Sequence, residues 1–184
     1  MIKVCLADNY PVVHFGIKSY FKDHSDISIV ANVGNFAMVK DILLTKEIDV
    51  LVLDLELEGL SSIFEIKSVL KNFPKTKIVF YSGLSEQIYA PNAIKAGVSG
   101  FVHKTEKLET LGQSIIKVNQ GKIIMNEAVM KNIALIAKQS KSERLYRKLS
   151  NREVEVLRYL SDGKKNHEIA EILSLNEKTI STYK

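Results

Sequence analysis

Short apolar runs alternate, over residues 1–121, with longer segments whose apolar positions recur at helical spacing. Ile2-Lys3-Val4-Cys5-Leu6-Ala7, Val50-Leu51-Val52-Leu53, Ile78-Val79-Phe80-Tyr81 and Phe101-Val102-His103 are too short and too uniformly apolar for surface helices. They read as strands buried on both faces, as in a parallel sheet covered by helices. The pattern predicts strands ending near Asp8, Val33, Asp54, Ser82 and His103 and helices starting near Val12, Phe36, Ser62, Glu86 and Lys107. Gly121 is placed to cap the fifth helix in the left-handed conformation. Residues 123–137 read as a strand-like start followed by a helix near 127–138. Gln139-Ser140-Lys141-Ser142-Glu143-Arg144 is polar and unpatterned, as in a linker.

From Leu149 the pattern changes to compact helices. Ser150-Asn151-Arg152-Glu153 fits a capping box, in which serine oxygen and glutamate carboxylate satisfy opposing backbone amides. The helix that follows is expected to bury Val154, Val156, Leu157 and Leu160 and to end at Gly163. A second buries Ile169, Ala170, Ile172 and Leu173, and Asn176 caps a third beginning at Glu177. Two short helices joined by a turn, the later one opening on small polar and basic residues, form a helix-turn-helix. The fold class is therefore α/β, a doubly wound five-stranded parallel sheet followed by a small all-α domain. The expected boundaries are 1–121, a connecting helix and linker over 122–148, and 149–184.

Composition narrows the function. Apolar residues make up 46% of the 184-residue chain and charged residues 26%, values ordinary for a globular protein. No apolar stretch approaches the roughly 20 residues that span a bilayer, and no basic-then-apolar leader opens the chain. The single cysteine, Cys5, excludes an intramolecular disulfide framework and suits a reducing compartment. Cytoplasmic location is the expectation. Residues 1–140 hold 16 Lys/Arg against 14 Asp/Glu, and residues 141–184 hold 10 against 7. The basic excess concentrates in the helical end, as a nucleic-acid partner would require.

Four strand ends carry residues capable of chemistry. Parallel strands converge their C-termini on one edge, so Asp8, Asp54, Ser82 and Lys104 should meet there. An aspartate can attack a phosphoryl group to form an acyl phosphate. It then needs a hard cation such as Mg²⁺, a cationic side chain on the incoming oxygens and a hydroxyl donor. Asp54 suits the nucleophile, Asp8 the cation site, Lys104 the ammonium and Ser82 the hydroxyl.

At these residues the chain resembles the receiver domain of two-component response regulators, over about residues 1–120. Ala93-Ile94-Lys95-Ala96-Gly97 and Gly100-Phe101-Val102-His103-Lys104 strengthen the likeness. Residues 149–184 resemble the LuxR-type helix-turn-helix through Leu149-Ser150-Asn151-Arg152-Glu153 and Asn166-His167-Glu168-Ile169-Ala170. Together they look like the NarL/FixJ family, and Lys178-Thr179-Ile180-Ser181-Thr182-Tyr183-Lys184 is similar to the branch containing EvgA, BvgA and RcsB. The resemblance implies a flavodoxin-like receiver, phosphorylation of Asp54 by a sensor histidine kinase, and pairing of Lys104 with the phosphate. It also implies contact of the phosphoryl group with Ser82, a rotamer switch at Phe101, homodimerisation, and transcriptional control through DNA. It implies no enzymatic turnover and no membrane partner.

The chain departs from that family pattern in three places. Asn9 stands where a second acidic residue usually follows Asp8, so Mg²⁺ held by Asp8, Asn9, Asp54 and the Glu56 carbonyl should bind more weakly. Glu58 replaces the usual proline and leaves the turn to Gly59, while Glu56 offers a further negative charge near Asp54. Pro91 falls within the expected fourth helix, where a late start would place it in the tolerated first turn.

At the DNA-binding end, Asn166, Thr179 and Lys184 suit phosphate contacts, and Ser181 and Thr182, with Lys178 beside them, face the bases. LuxR-type domains usually continue past this third helix into a fourth, whereas this sequence stops at Lys184; the expected consequence is weaker DNA binding. The alternatives are a phosphorylation-independent regulator with a degenerate receiver and a small phosphotransfer enzyme, the latter disfavoured because no substrate-binding insertion interrupts the pattern. A protein-interaction switch that binds no DNA is a further one.

Overall fold

Strands and helices alternate strictly through β1 (Ile2–Ala7), α1 (Pro11–Tyr20), β2 (Ile27–Val33), α2 (Phe36–Thr45), β3 (Val50–Leu53), α3 (Ile63–Asn72), β4 (Lys77–Ser82), α4 (Glu86–Ala96), β5 (Gly100–His103) and α5 (Leu108–Asn119). The computed structural model describes residues 1–127, 129–131 and 151–182, and gives the backbone alone for Phe64, Asn151 and Arg152. All strand pairs are parallel, in the order β2-β1-β3-β4-β5. The order reverses direction between β1 and β3, the place where open α/β sheets bind ligands.

Alternation along each strand divides the core into two layers. Leu51 and Leu53 of β3 face Phe36 and Val39 of α2, Ile66 and Val69 of α3, and Ala90 and Ala93 of α4. Val50 and Val52 face Ile17 and Phe21 on the α1 side and Leu111, Ile115 and Val118 of α5. Because β3 is buried on both faces, no polar residue is tolerated in it until the chain leaves the sheet at Asp54.

Helix ends follow local chemistry. Asn35 caps α2 by accepting a hydrogen bond from the Met38 amide at 2.9 Å, and Pro11 opens α1 where a missing N–H costs nothing. Gly97 and Gly121 take φ of 99° and 86° after α4 and α5, the left-handed conformation that glycine adopts without strain. Pro91 does not sit in a first turn: α4 begins at Glu86 and runs through it. The Gln87 carbonyl consequently lacks its helical N–H partner.

Beyond α5, Ile124 makes an isolated parallel bridge to Gly100, which realises the strand-like start expected at 123. Glu127 begins a helical stretch; the rest of the expected 127–138 helix, the 139–144 linker and the Ser150 cap lie outside the described residues.

The C-terminal domain consists of α6 (Asn151–Ser161), α7 (Asn166–Leu173) and α8 (Glu177–Thr182). Its core is Val156, Ile169, Ala170, Leu173 and Ile180, and Gly163 ends the first turn with φ of 77°. Two expected core positions behave differently. Leu157 is exposed, and Val154 packs on the first layer of the larger domain. Ile172 and Leu160 are only partly buried, at the rim of the small core.

Candidate functional site

The register of β1 on β3 pairs Ala7 with Leu53, so Asp8 and Asp54 leave the sheet side by side. The Asp54 amide donates to the Ala7 carbonyl at 2.9 Å. Ser82 pairs with His103 across β4 and β5, and the Lys104 amide donates to the Ser82 carbonyl at 3.0 Å. The sheet edge thus gathers all four residues expected there.

The Lys104 ammonium lies 2.7 Å from Asp54 Oδ2 and 2.7 Å from Asp8 Oδ2. Both carboxylates are buried, which forces them to be paired. Burial works to lower the pKa of Lys104, but its contacts with Asp54 and Asp8 outweigh burial and the net direction is upward. The Tyr10 ring lies 5.6 Å from the ammonium, and the Tyr10 amide donates to Asp8 Oδ1 at 2.8 Å. Asp54 Oδ1 accepts from the Glu56 amide at 3.2 Å. The Asp54 carboxylate is therefore held by fixed donors at the end of the sheet.

A hard cation needs oxygen donors here. Among the described residues, no group of three His, Cys, Asp or Glu side chains is arranged to hold a metal. What the site offers is two carboxylates, Asp8 and Asp54, that share the Lys104 ammonium, and the Glu56 carbonyl, which Asn9 holds. Asp8 Oδ2 is shut from solvent and has no aligned hydrogen bond, although the Lys104 charge is close. That donor set fits a hard cation of the Mg²⁺ kind that retains several waters. Asn9, expected as a fourth donor, is otherwise engaged: its Nδ2 donates to the Glu56 carbonyl at 2.7 Å and its Oδ1 accepts from the Glu58 amide at 2.8 Å. Gly59, with φ of 80°, makes the turn that follows.

Ser82 is fully buried, and its hydroxyl oxygen accepts weakly from the Leu84 amide at 3.4 Å. Phe101 of β5 is buried, pairs with Phe80 two residues before Ser82 on β4, and packs edge-to-face on it, centroids 6.1 Å apart. His103 carries a role that sequence reasoning missed. Its Nε2 lies 3.0 Å from the Gly83 carbonyl and its Nδ1 2.7 Å from Thr105 Oγ1. A carbonyl can only accept, so Nε2 carries the proton and the ring ties the Ser82 loop to the Lys104 loop.

The C-terminal domain also reaches the site. Arg158 of α6 contacts the Glu56 carboxylate at 3.3 Å. Glu155, itself buried, accepts from the Ile63 amide at the start of α3 at 3.0 Å. Neither contact is legible in sequence, because the partners stand far apart in the chain.

Of the residues expected to meet DNA, Lys178, Ser181 and Thr182 are exposed and Thr179 and Asn166 partly so. Asn166 Nδ2 donates to Ser181 Oγ at 3.3 Å, which joins α7 to α8. Ser181 and Thr182 hydroxyls donate to the Glu177 and Lys178 carbonyls. Asn176 caps α8 by accepting from the Lys178 amide at 2.9 Å. Lys184 lies outside the described residues.

Comparison with known proteins matches these two parts separately. The response regulator receiver domain family matches residues 4–116, and the bacterial regulatory proteins of the luxR family match residues 147–184. Fimbriae Z protein of Salmonella typhimurium is 34% identical over 181 residues, covering 98% of this chain and 86% of that protein. A structure of the Salmonella typhimurium RcsB response regulator superposes with a TM-score of 0.79 at 25% identity, covering 100% of this chain and 86% of that one. RcsB from Salmonella enterica serovar Typhimurium bound to promoter rprA with the phosphomimetic BeF3- gives 0.77 at 25% identity, covering 100% and 88%.

Proposed function

The chain belongs to the response regulators, transcription regulators that join a receiver to a LuxR-type DNA-binding domain, and on that footing we propose that Asp54 is its phosphoacceptor and promoter DNA its target. The phosphoryl group comes from a phosphohistidine of a sensor kinase. An Asp54 oxygen attacks phosphorus, the P–N bond breaks, and the acyl phosphate forms. The observation that carries the reading is the buried Asp54 carboxylate with the Lys104 ammonium at 2.7 Å, at the sheet edge it shares with Asp8 and Ser82.

Each residue then has a task. Lys104, already charged and oriented, transfers its pairing to the phosphoryl oxygens. The Ser82 hydroxyl, weakly engaged at present, turns to donate to one of them. Movement of Ser82 opens space that Phe101 can fill by changing rotamer. Asp8, Asp54 and the Glu56 carbonyl would hold Mg²⁺, which when bound neutralises charge on the phosphoryl oxygens. Asn9 as a fourth ligand requires its amide to turn.

Residues 1–121 act as the receiver, 122–148 connect, and 149–184 bind DNA. Lys178, Thr179, Ser181 and Thr182 of the third helix, with Lys184 after them in the sequence and Asn166 before them, meet the major groove and its phosphates. A homodimer presents two such helices to two half-sites. Cytoplasmic location is part of this reading, because a sensor kinase and promoter DNA meet a regulator there; no described helix is long and apolar enough to cross a membrane. Its chemistry is a single transfer rather than turnover, so it is not an enzyme.

Selection from a random duplex library tests the reading. The phosphorylated chain should enrich a two-fold symmetric site that Asp54→Ala enriches poorly; absence of any enriched site with either protein contradicts it. A second reading, regulation without phosphorylation, is favoured by the Asn9 amide, which ties the β3–α3 loop through two hydrogen bonds that need no metal. On that reading Asp54→Ala enriches the same site as the unmodified chain.

A further inference from the structure

We propose that Asn9 is a positioning residue that does the mechanical work of a divalent cation. Its side-chain amide ties the end of β1 to the loop after β3, and Mg²⁺ gains the Glu56 carbonyl only by displacing it. The inference rests on the reading of Asp54 as the phosphoacceptor and concerns how that site is held when no cation is present.

The chemistry follows from which atoms donate. Asn9 Nδ2–H points at the Glu56 carbonyl oxygen at 2.7 Å, while Asn9 Oδ1 receives the Glu58 N–H at 2.8 Å. Both ends of one amide are therefore matched to two backbone groups of the same loop. An aspartate at position 9 has nearly the same shape but donates nothing. One of its oxygens could still accept from the Glu58 amide. The other would stand against the Glu56 carbonyl, acceptor facing acceptor, and the gap would need a cation to become attractive. Asparagine closes the gap with its own protons.

The rest of the pocket shows the same self-sufficiency. The Lys104 ammonium lies between Asp8 and Asp54 at 2.7 Å from each, so both buried carboxylates have a cationic partner without metal, although one ammonium offsets only one of their two charges. Glu56, whose carbonyl Asn9 holds, also meets Arg158 at its half-exposed carboxylate, 3.3 Å away. A loop held at both the main chain and the side chain of one residue stays in place when the cation leaves. The site therefore keeps its arrangement in the absence of Mg²⁺ and binds Mg²⁺ weakly, since entry breaks an existing hydrogen bond and finds one carboxylate fewer. Changes of this kind in a metal site typically shift affinity by about 10- to 100-fold.

The test compares the 184-residue chain with Asn9→Asp and Asn9→Ala. Mg²⁺ affinity is measured by calorimetric titration, melting temperature with and without EDTA, and phosphoryl uptake from acetyl phosphate separately. Asn9→Asp should bind Mg²⁺ at least about tenfold tighter and should melt lower than the unmodified chain in EDTA, with Mg²⁺ restoring the loss. Asn9→Ala should also melt lower in EDTA, but with no restoration by Mg²⁺, which separates the clamp from a general structural role. Unchanged Mg²⁺ affinity in Asn9→Asp, or equal melting of all three proteins in EDTA, overturns the inference. If the affinity and melting pattern holds while none of the proteins takes up phosphate, the clamp stands and the phosphoacceptor reading fails.

Discussion

The Arg158 guanidinium and the Glu56 carboxylate lie 3.3 Å apart and join the DNA-binding domain to the loop that carries Asp54. Glu155, one helical turn earlier on α6, reaches the same receiver surface and caps the first turn of α3 through the Ile63 amide. Their energetic weights differ. The Arg158 side chain is 21% exposed and that of Glu56 46%, so water screens the pair and leaves it worth at most ~1 kcal/mol. Glu155 is buried and hydrogen-bonded to an amide with no helical partner, and losing it exposes a desolvated donor at about 1–3 kcal/mol. Hydrogen exchange should distinguish the two: Glu155→Ala deprotects the Ile63 amide, whereas Arg158→Ala leaves it nearly unchanged. Equal protection in both variants would remove α6 from the α3 cap.

Replacing Lys104 should damage folding as well as chemistry. Lys104→Met leaves Asp8 and Asp54 buried without their shared cation, and breaking such a pair from one side costs about 3–5 kcal/mol. Urea denaturation at neutral pH measures it. The pH dependence has a definite sign. Lys104 has its pKa raised from 10.5 in the folded chain, so its stabilisation is complete below 10.5 and fades as pH rises through the higher folded value. Stability differences between the unmodified chain and Lys104→Met should therefore be constant from pH 7 to 9 and shrink only in stronger alkali.

Cys5 should be inert. Burial pushes its thiol up to about 12 from an ordinary 9.0, and it has no exposed surface. Because the thiolate is the reactive form, a disulfide reagent at pH 8 should label it only at the rate of unfolding. Labelling independent of added urea would place Cys5 near the surface and contradict the β1 packing.

Ser82→Ala should slow or uncouple phosphoryl transfer without abolishing it. The hydroxyl supplies one hydrogen bond, about 1 kcal/mol net, whereas Asp54 supplies the bond-forming oxygen. Stopped-flow uptake from a small phosphodonor checks this, and a complete loss in Ser82→Ala would mean that the hydroxyl is required for the bond-forming step itself.

The sheet and its reactive edge were legible because burial on both faces leaves a distinctive apolar run, and each run stops where the chain meets water. Asp8, Asp54, Ser82 and Lys104 could be read from their positions at those stops. Helix starts were legible to within a residue, since Phe36 and Glu86 follow residues suited to caps. Pro91 was misjudged because tertiary packing of Tyr89, Ala90 and Ala93 outweighs one missing hydrogen bond. Leu157 was misjudged because the helical stripe of α6 faces two neighbours: Val156 turns to α7 and Val154 to the receiver, which leaves Leu157 outside. The Asn9 clamp, the His103 tie and the Arg158–Glu56 pair were illegible for a different reason. Each depends on which atom of a side chain meets which backbone group across the fold, and no periodicity along the chain encodes that.

The central claim is that Asp54 carries the phosphoryl group. Incubation of the chain with acetyl phosphate and Mg²⁺, followed by peptide mass mapping, tests it most directly. The account predicts a single phosphoryl group, labile to alkali and to hydroxylamine, on the peptide containing Asp54 and none on the Asp54→Ala protein. A phosphoryl group on another residue, or one that persists in Asp54→Ala, would contradict it.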